Sequence, residues 1–213
     1  MPLTTDRDLL LIEPSVFTAA ATAAATNILT ATDAAVAGTT LSSATSDFDA
    51  ADIDAAHVAV FDGEALEIIS RLSATQLDIS RPRAASTDVK IAPTAGSNKT
   101  LKVNTFARLI DRTQRDLLQA LGMRDDDPEL PLDADDVVNA ADLGHVLALR
   151  VLSRAFAAAV ALDPETASLA DRAALYAAQA DAAAASLAVL IDTDGDGIAD
   201  QTRHLNVAVL KRI

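Results

Sequence analysis

The run Asp192-Thr193-Asp194-Gly195-Asp196-Gly197-Ile198-Ala199-Asp200 spaces carboxylates two residues apart and punctuates them with glycine. Calcium is a hard cation that takes oxygen ligands. An EF-hand loop supplies them from its first, third and fifth positions, from a backbone carbonyl at the seventh and from the ninth, with glycine at the sixth for the turn. Asp192, Asp194 and Asp196 occupy the first three of these, Gly197 the turn, Ile198 the carbonyl position and Asp200 the ninth. The twelfth position, which wants a bidentate Glu, is Arg203. This is an incomplete EF-hand-like loop with Ca2+ as its candidate ligand; the competing reading is an acidic Gly-rich turn that needs no metal. No other motif requires a cofactor.

Catalysis has little to draw on. The three histidines, His57, His145 and His204, lie far apart in the sequence, each with the ordinary reading of a surface or half-buried side chain. A Gly-rich phosphate loop, a Gly-x-Ser-x-Gly elbow and paired metal-binding histidines are all missing. The expectation is therefore a protein that is not an enzyme. Arg108, Arg112 and Arg115 share one face of a predicted helix but alternate with Asp111 and Asp116, as solvated helix surfaces do. At the other end of the sequence, Leu205, Val207 and Val209 alternate like a strand and run into Lys211 and Arg212. Such a segment suits addition to the sheet edge of a partner.

The chain has 213 residues, among them 47 Ala and 26 Asp against five Glu, and a formal charge of -14. Half of it is apolar but only 3% is aromatic, so little area is buried per residue and subunit contacts are an expected source of stability. The acidic balance argues against wrapping DNA on a basic surface, though an acidic wall suits DNA that slides without sticking. The uncharged run 15–32 is long enough to span a membrane but consists largely of Ala and Thr, which gain little in lipid, and the first fourteen residues lack a basic leader. No membrane partner is expected.

Composition shifts twice along the chain. Residues 5–29 read as short helices broken at Pro14. From Asp33 to about Val103 the period is two: 57–61 and 64–69 flank the hairpin signal Asp62-Gly63, 77–80 follows a turn at 73–76, and 89–91 and 101–103 supply two closing strands. Helix resumes at Thr105 and stops at Gly122. Val137, Ala141, Gly144, Ala148, Val151, Ala155, Ala158 and Leu162 form one heptad stripe, and Leu169, Ala173, Tyr176, Ala180, Ala183, Leu187 and Leu190 form a second beyond Asp163-Pro164. Their small residues predict a close antiparallel hairpin. The expected fold class is mainly α with a β insertion: a helical bundle or hairpin carrying a small β-barrel or sandwich, plus an extended C-terminal tail. Its divisions are a helical body at 1–32 and 105–191, an inserted β domain at 33–104, the Asp-rich loop at 192–204 and the tail at 205–213.

This order of parts carries a resemblance. The opening Thr4-Thr5-Asp6-Arg7-Asp8-Leu9-Leu10-Leu11-Ile12-Glu13-Pro14, the meander with Gly38-Thr39-Thr40-Leu41-Ser42-Ser43-Ala44 and Asp62-Gly63, the helix ending Leu117-Leu118-Gln119-Ala120-Leu121-Gly122, the helical hairpin and the tail together look like the adaptor, or head-completion, proteins of tailed-phage head-to-tail connectors. The β insertion departs from the smallest adaptors, which are nearly all helical. The resemblance implies a structural virion protein assembled in the host cytoplasm: a homo-oligomeric ring, typically a dodecamer, at the head-to-tail interface. It implies docking on the portal protein through 205–213, contact with a tail-side stopper or terminator protein, and nonspecific DNA passage through the lumen. Two alternatives stand beside it, a calcium-dependent binding module and another phage tail or capsid accessory protein.

Overall fold

In the computed structural model, which describes residues 2–123, 132–162 and 167–205, Thr5 opens helix α1 (Asp6–Ile12). The Asp8 carboxylate turns back to accept from the Thr5 amide at 2.7 Å and its hydroxyl at 2.8 Å, satisfying a donor the helix leaves open. After Pro14 a π-helical turn (Val16–Ala20) runs into the short α2 (Ala21–Ala24), and the chain then extends as β1 (Thr26–Ala37).

Five further strands follow: β2 (Thr40–Ser42), β3 (Val58–Phe61), β4 (Glu64–Ser73), β5 (Gln76–Ser80) and β6 (Gly96–Thr105). They close an antiparallel barrel in the order β1-β2-β5-β4-β3-β6, with β6 pairing with β1 from Thr26↔Thr105 to Val36↔Gly96. Asp62 and Gly63 turn β3 into β4 with φ of 50° and 87°, both left-handed as a two-residue I′ turn requires. The barrel is filled, not hollow: Leu41, Phe61, Leu66, Ile68, Leu77 and Leu101 meet inside, and Phe48 and Ile53 from the 43–57 crossover join them. Arg71 fixes that crossover by donating to the Phe48 and Ile53 carbonyls at 3.3 and 3.1 Å.

The second core lies beside the barrel. Helix α3 (Ala107–Ala120) leaves β6 and ends in a Schellman motif, Met123 N–H donating to the Leu118 carbonyl (2.9 Å) and Gly122 N–H to that of Gln119 (3.0 Å), with Gly122 at φ 71°. A 3-10 turn (Ala134–Asp136) leads to α4 (Ala140–Leu162), which packs antiparallel to α5 (Ala167–Ser186). Leu143, Leu147, Leu149, Leu152 and Phe156 of α4 are all buried, so this helix is the apolar axis of the body. Among the described residues it is the one helix long and apolar enough to cross a membrane, and half of that apolar stretch is buried in the core. The two cores meet at β3, buried on both faces: Ala59 and Phe61 point into the barrel, while Val58 and Val60 pack with Leu10, Phe17 and Phe106 of the body.

Several expectations need correction. The molecule is not mainly α: helix accounts for 40% and strand for 28%, and the β part is a closed six-stranded barrel. Residues 26–32, expected as helix and linker, belong to β1. Their Ala and Thr side chains carry no clear period, and pairing with β6 decides their conformation. The segment 89–91 is not a strand; it lies over β5, where Lys90 Nζ meets Asp78 Oδ2 at 2.5 Å and the Ile91 amide donates to Ser80 Oγ at 2.8 Å. The helix expected to reach Ile191 stops at Ser186, and β7 (Ala188–Ile191) pairs with β8 (Gln201–His204). Gly144 does not serve the α4–α5 seam: a Cβ there would stand 2.2 Å from the Leu3 carbonyl oxygen, so its smallness admits the N-terminal backbone instead.

Candidate functional site

The aspartate loop is the link of the β7–β8 hairpin, which Ile191↔Gln201 closes. Its first residue builds it. Asp192 Oδ1 accepts from the amides of Asp194 (3.1 Å) and Gly195 (2.7 Å), and Oδ2 accepts from Gly197 (2.6 Å). The Gly197 amide, helped by the other two, holds the Asp192 carboxyl below the usual carboxylate range. Gly195 and Gly197 sit at φ 78° and 84°, which lets the backbone curl far enough to aim these amides inward. Asp200 Oδ2 ties the far end to the Thr193 amide and hydroxyl, both at 2.8 Å.

Asp192, Asp194 and Asp200 each bring a carboxylate oxygen within 4.8 Å of the others. Asp196 is not part of that group; its Oδ1 accepts from the Ile198 amide at 2.7 Å, and Ile198 itself is exposed. A carboxylate has about four acceptor positions. Three of those on Asp192 are taken by amides, leaving one on Oδ2 to face a cation. Arg203, at the twelfth loop position, points away from the loop, and its Nη1 donates to the Leu121 carbonyl at 2.8 Å, covering the C-terminus of α3 where cations are favoured. The loop thus offers three carboxylates of the five predicted ligands and no bidentate acid at its end. Of the predicted docking residues, Leu205 is half-buried against the helical core. Val207, Val209, Lys211 and Arg212 lie outside the described residues.

The histidines are not gathered. His57 Nδ1 accepts from the Asp54 amide at 3.2 Å at the rim of the barrel, while His145 and His204 are exposed on separate elements. Charge is buried elsewhere. Glu67 on the outer face of β4 accepts from Arg7 Nε of α1 at 2.9 Å and from Arg83 Nε, and Arg7 Nη2 donates to the Arg83 carbonyl at 2.7 Å. The triad ties barrel to body across sixty residues and more of sequence, a separation no local pattern reveals.

Two clefts open beside α2, each of about 530 Å3. One lies between the π-helical turn and the outside of the barrel, lined by Thr18, Thr22, Asn27, Thr100, Lys102 and Asn104. The other lies between α2 and the helical hairpin. At its edge Glu13 takes a 2.8 Å hydrogen bond from the Tyr176 hydroxyl and a 3.2 Å ion pair from Arg172, whose guanidinium lies 5.7 Å from the centre of the Phe156 ring. Burial works to raise the Glu13 pKa, yet the Ser15 and Tyr176 hydrogen bonds and the Arg172 charge together hold it below normal; burial and the same Glu13 contact push Tyr176 up to about 12. These groups are saturated by one another and brace α1 against α5.

Helix α5 turns small side chains to solvent. Only Tyr176, Ala180 and Ala184 of α5 are buried, and on the opposite side Ala167, Ala174, Ala178 and Ala185 stand exposed with Leu175, which is 51% accessible. Sequence periodicity locates the inner stripe of this helix and leaves the outer one unassigned, because alanine marks both alike. Comparison with models of protein families, with curated proteins and with solved structures finds no match to this chain.

Proposed function

We propose that the protein is a structural connector subunit of a tailed virion: copies form a ring at the head-to-tail interface, the segment 205–213 seats on the portal, the opposite face receives a stopper or terminator, and DNA passes through the lumen. The observation that carries this reading is α5, a 20-residue helix with an alanine face turned to solvent. A helix so poorly covered gains stability when a neighbour excludes water from it. The charge of -14 per copy supports the passage role, since a wall of that sign repels phosphates and makes no sequence-dependent contact. The filled barrel leaves the channel to the space between copies, with the barrel as a side lobe of each subunit.

Mass photometry and negative-stain microscopy of the full chain, alone and with purified portal, test the reading. Rings stacked on the portal are expected, and a chain lacking 205–213 folds but does not join them. A protein that stays at its 22.1 kDa monomer mass with portal present overturns it. The proximity of Asp192, Asp194 and Asp200 favours a second reading, a calcium-dependent binding module. In that case millimolar Ca2+ raises the melting temperature over a chelated sample and Asp200→Asn abolishes the rise, with no change in oligomeric state.

A further inference from the structure

The body presents two unlike faces. Helix α4 is flanked by α3 and α5, and its side chains show on which sides. Arg154 reaches α3, donating to Thr113 Oγ1 at 3.0 Å and Asp116 Oδ2 at 2.7 Å. Ser153 donates to the Ala173 carbonyl of α5 at 3.0 Å, and Phe156 stacks on Tyr176 with ring centres 5.9 Å apart. At about 100° per residue, Arg154 leaves α4 about 100° from Ser153 and about 160° from Phe156. The outer surfaces of α3 and α5 therefore look away from each other.

Their chemistry is complementary. On α3, Arg108, Arg112 and Arg115 lie opposite the buried Ile110 and Leu117 and are exposed, and among the described residues the guanidinium groups of Arg108 and Arg112 have no partner. On α5, the alanine face is flanked by Asp171 and Asp181, both exposed and both without a partner among the described residues. These two carboxylates are ten residues apart, about 15 Å along the axis, and Arg108 and Arg112 are four apart, about 6 Å, a difference of about 9 Å that the two extended arginine side chains can bridge by leaning in opposite directions. Alanine lets a facing backbone come near, and arginine stems are apolar along their length while their heads seek carboxylates.

We propose that α3 of one copy packs on α5 of the next, the stems of Arg108 and Arg112 covering the Ala174–Ala178 surface and their heads pairing with Asp171 and Asp181. This inference rests on the ring reading and names its joint. Because the two faces look away from each other, one neighbour cannot engage both at once as a two-fold pair would require. It propagates head to tail and closes when the rotation per copy divides the circle.

The test uses two full-length variants, Arg108→Glu with Arg112→Glu, and Asp171→Arg with Asp181→Arg. All four side chains are exposed, so each variant is expected to fold, with circular dichroism and melting temperature of the monomer as the control. By mass photometry each alone loses the ring and runs as monomer. Mixed one to one they assemble again, because each reversed face meets its reversed complement, and every ring then holds equal numbers of both. Rings that form from either reversed variant alone overturn this interface and leave the ring reading standing. A wild-type chain that forms no ring even with purified portal removes both. Variants that disperse alone and stay dispersed when mixed show that these residues act through some other surface, which also overturns the pairing.

Discussion

At the scale of single residues, the most exposed consequence of the fold is electrostatic. Asp6 is the first residue of α1, a favourable place for a carboxylate, yet it is 3% accessible because its side chain reaches across to the start of α3 and accepts from the Phe106 amide at 2.8 Å. Burial pushes its pKa up to about 6, and the Thr105 and Phe106 hydrogen bonds reduce that rise without cancelling it. A raised acid binds its proton more tightly when folded, so this group favours the fold at low pH and loses that advantage as pH climbs from the unfolded value toward the folded one. From about pH 4 to about pH 7 the loss amounts to about 3 kcal/mol. Asp6→Asn keeps an acceptor for Phe106 and cannot ionise. Urea midpoints across this range should show wild type falling relative to Asp6→Asn as pH rises; parallel curves would mean that Asp6 stays charged and solvated. Asp33 works in the opposite sense, held down at about 2 by the Ser43 hydroxyl and by Thr45, so the variant comparison is needed to isolate Asp6. The sequence shows Asp6 as a helix opener and gives no hint of its contact a hundred residues away. It shows the aspartate loop in full, but not that Asp192 spends most of its acceptors on amides or that Arg203 serves α3.

At the scale of elements, legibility follows how much information the side chains carry. Asp62-Gly63 and Gly122 are plain because positive φ selects residue types strongly, and β3 to β5 are plain because Val, Ile, Leu and Phe alternate with other residues. The start of β1 and the whole of β7 are not. Ala-rich text has no preferred face, and Leu187 and Leu190 continue a helical stripe even though the chain has already turned into strand. The polar β8, Gln201–His204, has no apolar alternation to find; it exists because the loop before it folds back. Gly144 has a similar lesson, since its spacing fits the helix seam while its function is contact with Leu3. Gly144→Ala would place a Cβ 2.2 Å from the Leu3 oxygen, and backbone cannot yield as a side-chain tip can. The expected result is displacement of residues 2–4 from α4 at a cost of about 2 kcal/mol, less whatever the gain in helix propensity returns. Hydrogen exchange should show faster exchange confined to the Leu3 amide, which now donates to Gln114 Oε1 at 2.8 Å, and its neighbours. Unchanged protection there would contradict the contact.

At the scale of the whole molecule, barrel and body have separate interiors but share a wall. Val58 and Val60 of β3 and Ala65 of β4 belong to the helical core, although the strands that carry them close the barrel. The Arg7–Glu67–Arg83 cluster crosses the same boundary: losing the barrel would strand Arg7, and losing α1 would leave Glu67 with Arg83 alone and take the Arg7 donor from the Arg83 carbonyl. Breaking a buried ionic contact by removing one side costs about 3 to 5 kcal/mol, a large share of the stability of an ordinary domain. Neither half can therefore unfold first without exposing apolar wall in the other and breaking the Arg7 contact between them. Calorimetry of dispersed monomer, such as the Arg108→Glu, Arg112→Glu variant, should show one transition whose van't Hoff and calorimetric enthalpies agree. Two resolved transitions would mean that the shared wall at β3 does not couple the cores. The barrel would then be an appendage free to move independently of the helices, which would place any subunit joint in the helical body alone and leave the side lobe with no part in holding α1, α3 and α5 in register.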